Sequence, residues 1–255
     1  MFAWAGRYVI ELLRFLGANV LLHNRVLWGV LRGRVAYATT VTQMAHLGVN
    51  SLPIVAVTMF FSGMVLAYHA AIQATKLGAA GLVGWVVAET ICRELGPVMT
   101  SIVISARAGS AMTAELGTMK VTEQIDALRA MSVNPVDYLV TPRYIAALVM
   151  VPILVLMGNT VGVMGGYLLA LAAPYMNAYA YLTNIPGNLE LWTVIAGILK
   201  SYGFAIIIAV VSCQQGLSCK MASEAVGQAT TRSVVYCIML IYAANLVLTT
   251  FLFPR

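Results

Sequence analysis

The stretch "AETICRELGPV" (88–98) places Glu89, Arg93 and Glu94 inside a long apolar run, and "GILKSYG" (197–203) does the same for Lys200. Glu89 and Arg93 are four residues apart, share a helix face and can pair along it. Glu94 points about 100° away, which leaves Lys200 as its long-range partner. A charge at bilayer depth costs at least ~2.5–3.5 kcal/mol on insertion scales, so each must face a partner or a wet cavity. Two kinds of chemistry fit: an ion-pair network that ties two helices together, or charges that line a substrate path. Pro97 adds a local consequence, because it has no N–H to give the carbonyl of Arg93 and so predicts a kink there.

No catalytic constellation accompanies these charges, and no catalytic residue is assigned. G-x-x-x-x-G-K-[ST], G-x-S-x-G and clusters at metal-ligand spacing are all missing from the sequence. His23, His46 and His69 stand apart, and Cys92, Cys213, Cys219 and Cys237 form no C-x-x-C pair. The cysteines read as small apolar side chains. Neither a metal nor a cofactor is expected in this chain; if ATP is used, another chain must hydrolyse it.

The elements that position the charges must be helices. The chain is 61% hydrophobic and 9% charged over 255 residues, against roughly 25% charged in a soluble domain. Lipid is therefore the solvent for much of its surface. The basic residues are dispersed, which points away from nucleic acid and toward anionic headgroups. Apolar runs at 47–73, 82–113, 144–172, 191–213 and 233–253 each reach the ~20 residues a spanning helix needs. Before them, Arg7, Glu11, Arg14, Arg25 and Arg32 fall on one stripe of residues 1–35. That pattern predicts an amphipathic helix lying in the membrane surface rather than a cleaved signal peptide. The small residues of "GNTVGVMGG" (158–166) and "ARAGSAMTA" (106–114) predict close helix packing. The expected class is an all-α polytopic membrane protein forming one membrane domain over residues 1–255.

Loop charges orient it. The amino-terminal segment holds five arginines, and the 113–144 and 213–233 connections hold Lys120, Arg129, Arg143, Lys220 and Arg232. The other connections offer only Lys76. The positive-inside rule then places the amino terminus in the cytoplasm and, after five spans, the carboxyl terminus outside. The stretch 114–143 concentrates four of the nine acids: Glu115, Glu123, Asp126 and Asp137. Val121, Ile125 and Leu128 form an apolar stripe through it, and Pro135 and Pro142 close it. A short amphipathic cytoplasmic helix within 115–136 is expected, too polar to span. On these residues alone a transporter is the reading. A secondary transporter or channel using the intramembrane charges as a proton relay stays open, although no inverted repeat is visible.

The order of motifs narrows this. "RELGPVMTSIVISARAGSAMTAELGTMKVTEQIDALRAMSVNPVDYLVTPR" (93–143) resembles the signature region of permease subunits of MCE-type (Mla-type) lipid ABC transporters. "GQATTRSVV" (227–235) and "LKS" (199–201) also resemble that family's later motifs. The resemblance implies a homodimer in the bacterial inner membrane that moves phospholipid or a similar amphiphile. It further implies a cytoplasmic ABC ATPase that binds ATP and Mg, a periplasmic MCE-domain partner and, in some systems, a small STAS-type accessory subunit. The coupling helix would carry Glu115, Lys120, Glu123, Asp126 and Arg129. Leu66, Tyr68, Arg93, Glu94 and Lys200 would lie at the lipid pocket. Asn245 departs from the pattern, since some relatives place an acid in this part of the last span.

Overall fold

A computed structural model describes residues 2–33, 36–173 and 176–253. Arg34, Arg255 and the side chain of Arg7 lie outside the described residues. Among the described residues every regular element is helical. Helix α1 (Phe2–Leu31) precedes α2 (Tyr37–Leu47), which leads through a 3₁₀ turn at Val49–Ser51 into α3 (Leu52–Lys76). An unbroken helical run, α4 (83–121), contains π turns at Ile91–Leu95 and Ser105–Gly109. The short α5 (Gln124–Ala130) is followed by α6 (Val136–Ala172), whose first turn is also π. Two short helices, α7 (Ala178–Thr183) and α8 (Ile185–Asn188), lead to α9 (Leu191–Leu217) and α10 (Ser223–Leu252).

Among the described residues four segments are long and apolar enough to cross a membrane: Tyr37–Lys76, Val136–Ala172, Leu191–Leu217 and Ser223–Leu252. Helix α4 is not among them, because Glu89, Arg93, Glu94 and Arg107 interrupt its apolar run. Its packing nonetheless fixes its direction. Glu94 meets Asn245 and Thr249, Thr113 meets Ser233, and Gly117 meets Val226, so α4 runs antiparallel to α10. The pairs Gly96–Asn159 and Glu115–Arg143 make it antiparallel to α6 as well. It is parallel to α9, where Cys92 meets Gly197 and Thr113 meets Ser212. Helices α3, α4, α6, α9 and α10 thus alternate in direction.

Small residues set the closest approaches. A Cβ on Gly63 would strike the backbone of Gly162, and one on Gly165 would strike the carbonyl of Phe60, so α3 and α6 pack backbone to backbone. The alternation gives the bundle two unlike ends. Lys120, Arg129, Arg143, Lys220 and Arg232 gather at one end together with α1, α2 and α5; Lys76 and α7–α8 lie at the other. Helix α1 packs through Leu22, Val26 and Phe15, the last against Tyr236 with ring centroids 4.5 Å apart. Its residues Glu11, Arg14, Arg25 and Arg32 are exposed, with Leu13, Leu21 and Trp28 exposed beside them.

Candidate functional site

The π turn at Ile91–Leu95 inserts an extra residue into α4 just before Pro97. Main-chain carbonyls there lose their ordinary donors, and such turns recur at functional sites. The carbonyl of Cys92 lies against Gly197 of α9, where only a glycine fits. The carbonyl of Arg93 accepts from Lys200 Nζ at 3.0 Å. The same ammonium donates to Glu94 Oε1 and to Thr249 Oγ1, both at 2.8 Å. Three acceptors match its three protons. Lys200 is fully buried, and only that complete satisfaction makes a buried lysine tolerable.

Glu94 is held from both oxygens. Oε1 receives Lys200 and Thr249 Oγ1, the latter at 3.0 Å, while Oε2 receives Asn245 Nδ2 at 2.9 Å. Beside it, Arg93 and Glu89 form a looser pair at 3.5 Å, and Thr193 Oγ1 donates to Glu89 Oε1 at 3.1 Å. Arg93 also lies 3.8 Å over the ring of Phe253. Two acids and two bases make the cluster neutral, with Asn245 supplying a donor where an acid would add a third negative charge. Glu94 and Lys200, which the sequence suggested as partners, are therefore in direct contact. Asn245, Thr249, Thr193 and Phe253 complete the cluster. The sequence singled out Asn245 only as a departure from the family pattern and missed the other three; Asn245 and Thr249, polar and four apart in an apolar helix, are the signal that could have found Thr249.

Accessibility separates the two cations. Lys200 is sealed, whereas the Arg93 side chain is 38% exposed. Arg93 is the cation of this cluster that a headgroup could reach. Leu66 and Tyr68 do not share a surface: Leu66 packs against the core, while Tyr68 is exposed. Among the described residues no hydrogen bond, ion pair or ring contact joins either to the Lys200 cluster. Tyr68 instead ends an exposed apolar stripe along α3 formed by Ile54, Val57, Phe61 and Val65.

The charged stretch divides between two helices. Glu115 and Lys120 sit on the last turns of α4, not on a separate helix. Glu115 pairs with the buried Arg143 at 2.8 Å, and Arg143 also donates to the carbonyl of Leu139 at 2.6 Å. This pins the ends of α4 and α6 together. Glu123 follows with a left-handed backbone (φ 59°), which turns the chain into α5. Asp126 and Arg129 pair at 2.9 Å on its exposed side. Ile125 is buried and Leu128 half-buried, so the expected apolar stripe docks α5 on this chain's own bundle. Ser132, also left-handed, ends α5: Val133 N donates to Leu128 O and Ser132 N to Arg129 O, the Schellman pattern. Gln124, Ala127, Arg129, Ala130 and Met131 remain on the outer face.

Residues 40–251 match the family described as Permease MlaE. The chain is similar to a probable ABC transporter permease protein of Rickettsia typhi, 38% identical over 97% of this chain and 96% of the relative. It is similar also to a probable ABC transporter permease protein of Synechocystis, 38% identical over 98% and 92% of the two chains. The intermembrane phospholipid transport system permease protein MlaE of Haemophilus influenzae is 32% identical over 97% of this chain and 95% of its own.

Proposed function

We infer function from the premise that this chain belongs to the MlaE permease family: it is the membrane permease subunit of a lipid ABC transporter. We propose that it spans the bacterial inner membrane five times, with α4 as the second span. The alternating directions of α3, α4, α6, α9 and α10 support that count, since α4 must return between two helices that run the same way. The basic end, with α1, α2 and α5, then faces the cytoplasm.

Helix α5 carries the proposal of an ATPase contact. It stands outside the four apolar segments, is anchored by Ile125 and presents a short polar face next to the end of α4. A soluble ABC ATPase, binding ATP and Mg in its own chain, docks there. Its closure pushes α5, and the push passes into α4 and α6 through the Glu115–Arg143 pair. Two copies of this chain enclose an amphiphile in an apolar cleft to which the exposed α3 stripe contributes. The lipid headgroup lies near Arg93, and the MCE-domain partner receives or delivers the lipid at the far end. No bond in the lipid changes. Co-reconstitution with the cognate ATPase tests the reading: ATP-dependent lipid transfer that needs both chains supports it, and gradient-driven flux through this chain alone would overturn it.

A further inference from the structure

A second cationic pocket lies at the basic end, on the same helix as Arg93. The two arginines, Arg93 and Arg107, are about 21 Å apart along α4 at ~1.5 Å per residue. That is about two-thirds of a ~30 Å hydrocarbon core, enough to set the two in opposite leaflets. Arg107 stands in the second π turn, Ser105–Gly109. Its Nη1 donates to the carbonyl of His46 at 3.3 Å and to Ser51 Oγ at 2.9 Å, which fixes the plane of the guanidinium. Among the described residues Nη2 and Nε have no protein partner. Arg107 lines a cavity of about 160 Å³ between α2 and α4, which Gln43 and His46 also line.

The charge of this cavity is not cancelled from within. Glu115 also lines it, but its carboxylate is already engaged by Arg143 at 2.8 Å. The rest of its lining is apolar: Leu47, Ala108, Ala111 and Met112. A half-engaged guanidinium presents two parallel N–H groups, the geometry that suits a phosphate oxygen pair. Further donors beside an oily wall describe a site for a phosphate that carries an apolar body. We propose that this pocket binds the phosphate of an amphiphile, a headgroup station for the leaflet at the basic end, distinct from the one near Arg93. The assignment of that phosphate to a lipid rests on the permease reading above.

The test uses the full chain co-purified with its ATPase, in phosphatidylcholine nanodiscs that carry a photoactivatable phosphatidylglycerol. Cross-links are mapped by peptide. Labelling of α2 and of residues 105–119 should fall about tenfold in Arg107→Gln, as expected for loss of a charge-assisted hydrogen bond. Ala111→Phe, which fills the cavity without removing a charge, should give the same loss. Labelling near Arg93 should persist in both variants, which also reports an intact fold. Unchanged labelling of the basic end in both variants overturns the site while leaving the permease reading in place. Absence of lipid labelling at both stations in the unaltered protein overturns the two together. Displacement by diacyl phosphatidylglycerol alone supports a lipid headgroup, whereas equal displacement by soluble glycerol phosphate supports a free phosphate at the same residues.

Discussion

Lys200 Nζ lies 3.0 Å from the main-chain carbonyl of Arg93, the carbonyl to which the residue four places on, Pro97, has no N–H to give. A side chain from α9 thus replaces a hydrogen bond that α4 cannot make for itself. The π turn, Pro97 and the buried ammonium are one device. It holds α4, α9 and α10 together at the level where Glu94, Asn245 and Thr249 converge.

Removing one member of the Lys200–Glu94 pair should therefore cost more than removing both. Lys200→Met leaves the carboxylate without its cation and the Arg93 carbonyl without its donor. For a fully buried pair the loss is ~3–5 kcal/mol; with the Glu94 side chain one-third exposed, about 2–3 kcal/mol is expected. Lys200→Met with Glu94→Gln should recover part of it. Thermal unfolding in detergent of the wild type, both single variants and the double variant gives the coupling. A double variant no more stable than Lys200→Met would show that the ion pair is not the anchor.

Two glycines should behave oppositely. At Gly63 an added Cβ has only the backbone of Gly162 to meet, so Gly63→Ala must separate α3 from α6. Gly227, in the first turns of α10, has open space around it. There Gly227→Ala should be neutral or stabilise by about 0.5–1 kcal/mol through helix propensity. The yield of monodisperse protein and its melting temperature distinguish them.

The Glu94–Lys200 pair was legible because charges are scarce in apolar runs, so each narrows the choice of partner. Thr193 was not, because an uncharged hydroxyl can satisfy itself on its own helix; Thr249 was marked only by its spacing of four from Asn245. The π turns depend on which carbonyl each N–H chooses, a register that composition does not encode; only Pro97 hinted at the first. Leu66 and Tyr68, carried over by position, sit on different faces of α3. Residues two apart on a helix face nearly opposite ways, and here Leu66 is half-buried against the core and Tyr68 is exposed. The stripe that stabilises α5 was visible as Val121, Ile125 and Leu128. Its end at Ser132 was not, because a left-handed serine in place of glycine is uncommon.

Acid should loosen α1. His23 Nδ1 lies 3.3 Å from the hydroxyl of Tyr144, and burial holds the imidazole below its ordinary value of 6.5. The folded state then resists a proton that the unfolded chain accepts. Stability contributed by neutral His23 is complete above that ordinary value and is lost as pH falls through it toward the lowered folded value. His23→Gln should flatten the pH dependence of the melting temperature between about pH 5 and 7. An unchanged slope would place the acid sensitivity elsewhere.

Helix α5 allows docking to be separated from coupling. Ile125→Asp puts a charge where the side chain is 1% exposed, so α5 should leave the bundle and both ATPase binding and lipid transfer should fail. Arg129→Glu removes the exposed pair with Asp126 and sets two acids three residues apart. Exposed pairs are worth only ~0.2–1 kcal/mol, so the fold should persist. A like-charge clash in a protein interface can cost several kcal/mol, and a loss of ATPase affinity of about tenfold or more is expected. Glu123→Lys tests the other end of the same face. Pull-down of the ATPase and ATP-dependent lipid transfer are read in parallel. Normal binding and transfer in both charge reversals would move the coupling surface off α5 and onto the neighbouring ends of α4 and α10, where Lys120 and Glu224 are the next charges.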